Sequence, residues 1–191
     1  MVGLSLKIVL PIIFRFIFLE NFMHLIIDGY NLLHVDRPKI FLNSVELQWE
    51  RDQLIERLSA FRHTKPCEIT IVFDGWQGGR TTECRERRKG IDLIFTKLGE
   101  KADEVIKRLV KERGSGVIVI TSDRDISRYV EGMAVTVISS DQFMEKMKTP
   151  RLLNEKPLEE EDEEERRGAK KGPSKKLSKK ERRVKAILRK L

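Results

Sequence analysis

Four aspartates stand at or just beyond the ends of short apolar runs in this chain. Asp28 closes the run in "HLIIDGYNLL", Asp74 that in "EITIVFDG" and Asp123 that in "VIVITSD", while Asp103 falls in "TKLGEKADEVI", just after "IDLIFT". Asn31 follows Asp28 by three residues, close enough to face the same place. Taken singly, each Asp is an ordinary turn residue or helix cap. Their recurrence at one kind of position is what carries chemical meaning. Two unit charges about 4 Å apart repel by roughly 4 kcal/mol at an effective dielectric near 20. Several carboxylates gathered in one crevice therefore call for a cation, and an all-oxygen set suits Mg2+ or Mn2+. Such an ion can activate water and stabilise charge on a phosphoryl group during in-line attack. The three histidines, His24, His34 and His63, lie at no ligand spacing and read as surface or packing residues.

The carboxylates converge only if the elements carry these run ends to one edge. "LIIDG", "EITIVFDG", "IDLIFT", "VIVITSD" and "AVTVIS" read as strands, and their near-continuous apolar character predicts burial on both faces. Between them, residues 44–63 read as a helix with Leu47, Leu54, Leu58 and Phe61 at helical spacing and Ser44 as its N-cap. "KADEVIKRLVKERGSG" reads as a second helix, burying Val105, Ile106, Leu109 and Val110 and closed by Gly114. "RDISRYVEG" and "SDQFMEKMK" read as shorter helices. The stretch Trp76–Gly90 is rich in Gly and Arg, has no apolar period and reads as a loop. Strands alternating with helices imply an α/β fold: a mainly parallel sheet of about five strands with helices on both faces. In such sheets the binding crevice lies at the carboxyl ends of the strands, where the four aspartates are expected, Asp103 from the first turn of its helix. Asp125 reads as a first-turn acid favoured by the helix dipole.

The set "IIDGYNLL", "IVFDG", "TKLGEKADEVI" and "VITSDRDI", in that order, resembles the NYN domain of the PIN-like ribonucleases, in particular the YacP-like group, over about residues 23–147. The resemblance implies a PIN-like Rossmannoid fold and divalent-metal-dependent cleavage of RNA. By position it implies Asp28, Asn31, Asp74, Asp103 and Asp123 as catalytic residues, with Asp28, Asp103 and Asp123 holding Mg2+ or Mn2+ and Asn31 orienting Asp28 or the substrate. Water activated by the metal would then hydrolyse the phosphodiester.

For holding RNA, the loop offers Arg80, Arg85, Arg87, Arg88 and Lys89 near Asp74, Ser122 and Thr121 offer hydroxyls, and Trp76 offers a stacking surface. Charge is segregated along the chain. From Arg166 to Leu191 there are 13 Lys and Arg against one Glu, after seven consecutive acids from Glu159 to Glu165, within an overall net charge of +8. We expect a domain over 23–148, an acidic linker over 149–165 and a disordered basic tail over 166–191, whose end can become a helix on a partner. A polyanion is the natural partner of such a tail, with messenger or ribosomal RNA, including RNA on the ribosome, as the expected one. Residues 1–22 are apolar but interrupted by Pro11, Arg15 and Glu20, and no small-residue cleavage site follows. They read as a leader upstream of a start at Met23 or as a surface anchor, and stable membrane insertion is not expected. Two cysteines far apart, Cys67 and Cys84, fit a reduced, cytoplasmic protein.

The main alternative is a PIN-like module that binds RNA without cutting it, although a pure binder gains nothing from acids facing phosphate. A phosphatase of the haloacid-dehalogenase pattern would want a second Asp where Tyr30 stands, and no GxGxxG or GxxxxGK[ST] marks a nucleotide-binding loop.

Overall fold

A computed structural model describes residues 23–36, 43–75, 81–114, 116–133, 135–148 and 177–191. The apolar N-terminal extension, the acidic linker, Trp76, Arg80 and residues 166–176 of the basic tail lie outside the described residues. Six strands form one sheet: β1 (Met23–Asp28), β2 (Cys67–Phe73), β3 (Cys84–Arg88), β4 (Ile91–Phe95), β5 (Val117–Ile120) and β6 (Thr136–Ile138), in the order β3-β4-β2-β1-β5-β6. All neighbouring pairs are parallel except β3 with β4. The described helices are α1 (Gly29–Leu33), α2 (Ser44–Thr64), α3 (Ala102–Arg113), α4 (Arg124–Val130), α5 (Ser140–Lys148) and α6 (Lys179–Lys190).

The sheet has one strand more than the sequence indicates, and the addition lies in the presumed loop. β3 reads CRERR and is exposed or half-buried throughout, so no apolar run announces it. Lys89 (φ 52°) and Gly90 (φ 79°) both adopt positive φ between paired Arg88 and Ile91. A two-residue hairpin turn with the twist of its strands needs that conformation. The charged residues of β3 also blunt an otherwise open sheet edge. A smaller correction concerns α2, whose N-cap is Asn43 rather than Ser44: the Asn43 side chain accepts from the Glu46 amide at 2.9 Å, and Glu46 accepts from the Asn43 amide at 3.0 Å.

Alternate residues of the central strands feed two apolar layers. Leu25, Ile27, Ile69, Ile71 and Phe73 meet Leu54 and Leu58 of α2 and Phe143 of α5 on one face. On the other, Ile26, Val72 and Val119 meet Val105, Ile106 and Leu109 of α3 and Ile126 of α4. Full burial of each such side chain contributes about 1.5–3 kcal/mol. The crossover from β1 to β2 runs over the first face, while those from β4 to β5 and from β5 to β6 run over the second. Crossovers in opposite directions must use opposite faces if all keep the same hand. The chain therefore reverses its winding at β1, and the crevice opens there, above the carboxyl ends of β1 and β5.

The basic tail also departs from expectation. Its end folds as α6, with Ser178 and Glu181 forming a capping box. Leu191 is 2% exposed, and Val184, Ile187 and Leu188 pack against the first apolar layer. Lys65, just before β2, donates to the Lys190 carbonyl at 2.8 Å. Lys180 pairs with Glu131, just before β6, at 3.2 Å. The helix thus closes the amino end of the sheet, opposite the crevice. Apolar residues at helical spacing supply the docking face that the tail's overall polarity conceals.

Candidate active site at the carboxyl edge of the sheet

Asp28 ends the central strand and is 6% exposed. It also N-caps α1, its Oδ1 accepting from the Asn31 amide at 3.1 Å. The Asn31 side-chain amide donates to Oδ2 at 2.8 Å. Gly29 between them is required by packing, because a side chain there would run into the Phe73 ring. Register supplies the next partner. Ile27 lies opposite Ile120, so Thr121 comes level with Asp28 and its hydroxyl donates to Oδ2 at 3.3 Å. The same Thr121 oxygen accepts from the Asp123 amide at 3.0 Å. Burial pushes the Asp28 carboxyl above its ordinary value, the hydrogen bonds from Asn31 and Thr121 hold it down, and Asp103 pushes it up again.

The other acids come to the same edge of the sheet. Asp103 comes from the first turn of α3 and acts electrostatically on Asp28. Asp74 follows β2, and its Oδ1 accepts from the Ala102 amide at 2.6 Å. It therefore caps α3 from outside the helix and fixes the turn that presents Asp103. Asp123 caps α4, accepting at Oδ1 from the Asp125 amide at 2.6 Å and from the Ile126 amide at 3.3 Å. Asp125 stays in the exposed first turn of α4, with Arg128 at 3.6 Å. Thus all four acids lie at one edge of the sheet. Asp36, Asp52 and Asp92 have basic partners, but Asp28, Asp74, Asp103 and Asp123 have none in any ion pair among the described residues.

The candidate RNA-binding residues divide. Each cation of the loop that is described has an acidic partner: Arg85 with Glu83 at 2.6 Å, Arg87 with Asp92 at 3.5 Å, Arg88 with Asp52 at 2.9 Å, and Lys89 with Glu56. Arg85 lies opposite Ile94, near the acid edge, whereas Lys89 sits in the hairpin turn at the far end of β4. The loop reading placed them together; pairing β3 against β4 spreads them along a strand. Ser122 turns toward α5, its hydroxyl accepting from the Ser140 amide at 3.2 Å and donating to Asp141 at 3.4 Å. Asp141 is an edge acid that sequence reasoning missed, since nothing but its place after the last strand marks it. Thr121, read as a substrate contact, instead holds Asp28. Arg51 was also missed: one of three arginines in a helix, it carries no signal of its own, yet it donates to the Tyr30 hydroxyl beside the site.

A metal ion at this edge would meet hard oxygen donors. As the side chains stand, no three His, Cys, Asp or Glu among the described residues form a ready-made set. Mg2+ is commonly held by one or two carboxylates together with water and substrate phosphate. Asp28 and Asp103, which repel one another electrostatically and have no basic ion-pair partner among the described residues, fit that mode.

A mainly parallel α/β sheet that reverses at its central strand, with unpaired acids at the carboxyl ends, defines a PIN-like protein of the nuclease class. The chain belongs to the YacP-like NYN domain family, whose model matches residues 25–190 and so extends through α6. It is 24% identical over 128 residues to the uncharacterized protein YacP of Bacillus subtilis (strain 168), a match covering 65% of this chain and 75% of that one. Two crystal structures of Rae1 (YacP) from Bacillus subtilis share the fold. A point mutant gives a TM-score of 0.54 at 23% identity, covering 65% of this chain and 74% of that chain. A second structure gives 0.50 at 25% identity, covering 64% and 72%. Among the described residues no helix is long and apolar enough to cross a membrane.

Proposed function

We propose that this protein is a divalent-metal-dependent ribonuclease that hydrolyses RNA phosphodiester bonds at the carboxyl edge of its sheet. The observation that carries this reading is the buried carboxylate of Asp28 at the switch point of the sheet, under the field of Asp103 and with no basic ion-pair partner among the described residues. Asp28 and Asp103 would hold Mg2+ or Mn2+, with Asp123 reaching it directly or through water. The ion, when bound, would offset the phosphate charge and make water a competent nucleophile near neutral pH. Asn31 and Thr121 fix the Asp28 carboxylate by donating to it, so it meets its ligand without reorganising. Asp74 sets α3, and through it Asp103, in place. A non-catalytic RNA binder would have no use for negative charge facing a phosphate chain.

Messenger or ribosomal RNA is the proposed substrate class, engaged also by the exposed cations of α6. A cytoplasmic location goes with it, where both cysteines stay reduced.

The test is cleavage of labelled single-stranded RNA with Mn2+ or Mg2+, with and without chelator, by wild type, Asp28→Asn and Asp103→Asn. Chelator abolishes release of fragments, and both variants lose at least the 10–100-fold typical of a ligand's hydrogen-bonding partners. Undiminished cleavage by both folded variants refutes the assignment.

A further inference from the structure

Between α2 and the β3–β4 hairpin a cavity of about 340 Å3 opens beside Asp74. Its walls are unusual in holding both kinds of hydrogen-bonding group. Gln48, Arg51 and Arg88 bring donors, and Asp74 and Glu86 bring acceptors, over the ring of Phe95. The Arg51 guanidinium sits among three aromatic rings, its central carbon 5.3 Å from the Tyr30 centroid, 5.5 Å from Phe73 and 5.6 Å from Phe95. It donates to the Tyr30 hydroxyl, yet its buried Nε–H has no partner. Asp52 steadies Arg88 at 2.9 Å. One residue beyond Gln48, Trp49 stands 53% exposed on the outward side of α2, with Val45 one turn before it 76% exposed. Neither exposed side chain is needed for the core.

We propose that this cavity is a pocket for one unstacked guanine base of single-stranded RNA whose chain passes over the acid edge. The volume lies at the lower end of the range for small-ligand sites, about 300–1,000 Å3, which suits a single base. Proteins that read single-stranded RNA splay bases out, stack them on aromatic rings or guanidinium planes and bond their edges. Arg51 with Phe95 supplies such a platform. Guanine presents two adjacent acceptors, O6 and N7, which arginine bonds as a pair. It also presents two adjacent donors, N1–H and the N2 amino group, which match a carboxylate such as Glu86. Adenine lacks the ring N–H donor that a carboxylate needs, and neither pyrimidine combines two adjacent donors with two adjacent acceptors. Trp49, exposed one residue beyond Gln48, offers a stacking surface for the neighbouring base. This inference rests on the ribonuclease reading for the path of the strand, but not for the recognition itself.

The test is binding of the full chain, in chelator, to fluorescein-labelled short oligouridines with or without one guanosine. Guanosine tightens binding by about tenfold, within the range for one good bidentate base contact. Adenosine or cytidine at the same place does not. Glu86→Gln erases the guanosine preference while leaving all-uridine binding unchanged, whereas Arg51→Met, which removes part of the stacking platform, loses the preference and weakens all-uridine binding as well. Glu86 lies on the exposed edge strand, so Glu86→Gln carries the test if Arg51→Met fails to fold. Equal affinity for all four nucleotides, or a guanosine preference that survives in the folded variants, overturns the pocket. A parallel incubation with Mn2+ and mapping of cut ends separates the two readings. Guanosine-selective binding without cleavage keeps the pocket and sinks the nuclease. Cleavage without any base preference in binding does the reverse.

Discussion

At the residue scale, Asp28 trades stability for function. Its carboxyl is raised above 3.8 in the folded chain, chiefly by burial. The folded state therefore holds that proton more tightly than the unfolded chain does. Its favourable contribution is complete below 3.8 and is lost as pH rises through the folded value, so ionised Asp28 costs stability at neutral pH. Asp28→Asn should then abolish cleavage yet raise Tm, by about 2–4 °C for each kcal/mol recovered in a chain of this size. Calorimetry at pH 7 checks this. Mn2+ should raise the Tm of wild type and not of the variant, because a ligand stabilises only the state that binds it. Asn31 acts in the opposite sense, since its two hydrogen bonds favour the charged carboxylate. Asn31→Ala should shift the acid limb of the activity profile to higher pH and slow cleavage about 10–100-fold. An unmoved limb would show that Asn31 does not tune Asp28.

At the element scale, the strand ends are positioned by close backbone contacts. Gly75 donates to the Thr96 hydroxyl at 2.9 Å, and a side chain at Gly75 would run into the Thr96 carbonyl. Gly75→Ala should cost about 1–3 kcal/mol as an overpacked site and displace Asp74, the cap of α3. A drop in Tm together with a fall in kcat larger than in Asp74→Ala would confirm that β2 and β4 together set the edge. At the other end of the sheet, His24 is buried against Thr70 at 2.8 Å, and burial lowers its pKa from 6.5 to about 4. The stability it confers is present above 6.5 and is lost as pH falls through about 4. Chemical denaturation from pH 7 to 4 should show that loss, and His24→Gln should flatten it.

At the scale of the whole molecule, α6 makes the end of the basic tail part of the domain. It presents seven Lys and Arg against one Glu, at the end of the sheet away from the acids. Six residues of β1 separate the two ends, about 20 Å at the rise of a strand. An RNA that touches both must be long enough to wrap the molecule. Deleting residues 177–191 should therefore lower Tm and reduce the salt dependence of binding to long RNA. It should leave cleavage of short oligonucleotides largely intact. Leu191→Ala should destabilise by about 2 kcal/mol, the lower end for a buried Leu, without changing the charge. Binding that weakens equally in both variants would mean that docking of the helix, and not its charge alone, creates the RNA surface.

Periodicity and strand-end chemistry, both local, were legible in the chain itself: the alternating strands and helices, the parallel sheet, the edge where the acids gather, and the family likeness. What was hidden depends on partners distant in sequence. β3 has no apolar run because it is an exposed edge, and only pairing with β4 defines it. Thr121 serves Asp28 because the register of β5 on β1 brings them level. Arg51 is an ordinary helical arginine until Tyr30, Phe73 and Phe95 fold around it. The tail's charge masks an amphipathic face that gains value only when an apolar surface lies within reach. Sequence thus determined which groups lie at the ends of elements. Tertiary structure decided which of them touch, because contact depends on register and packing between segments far apart along the chain.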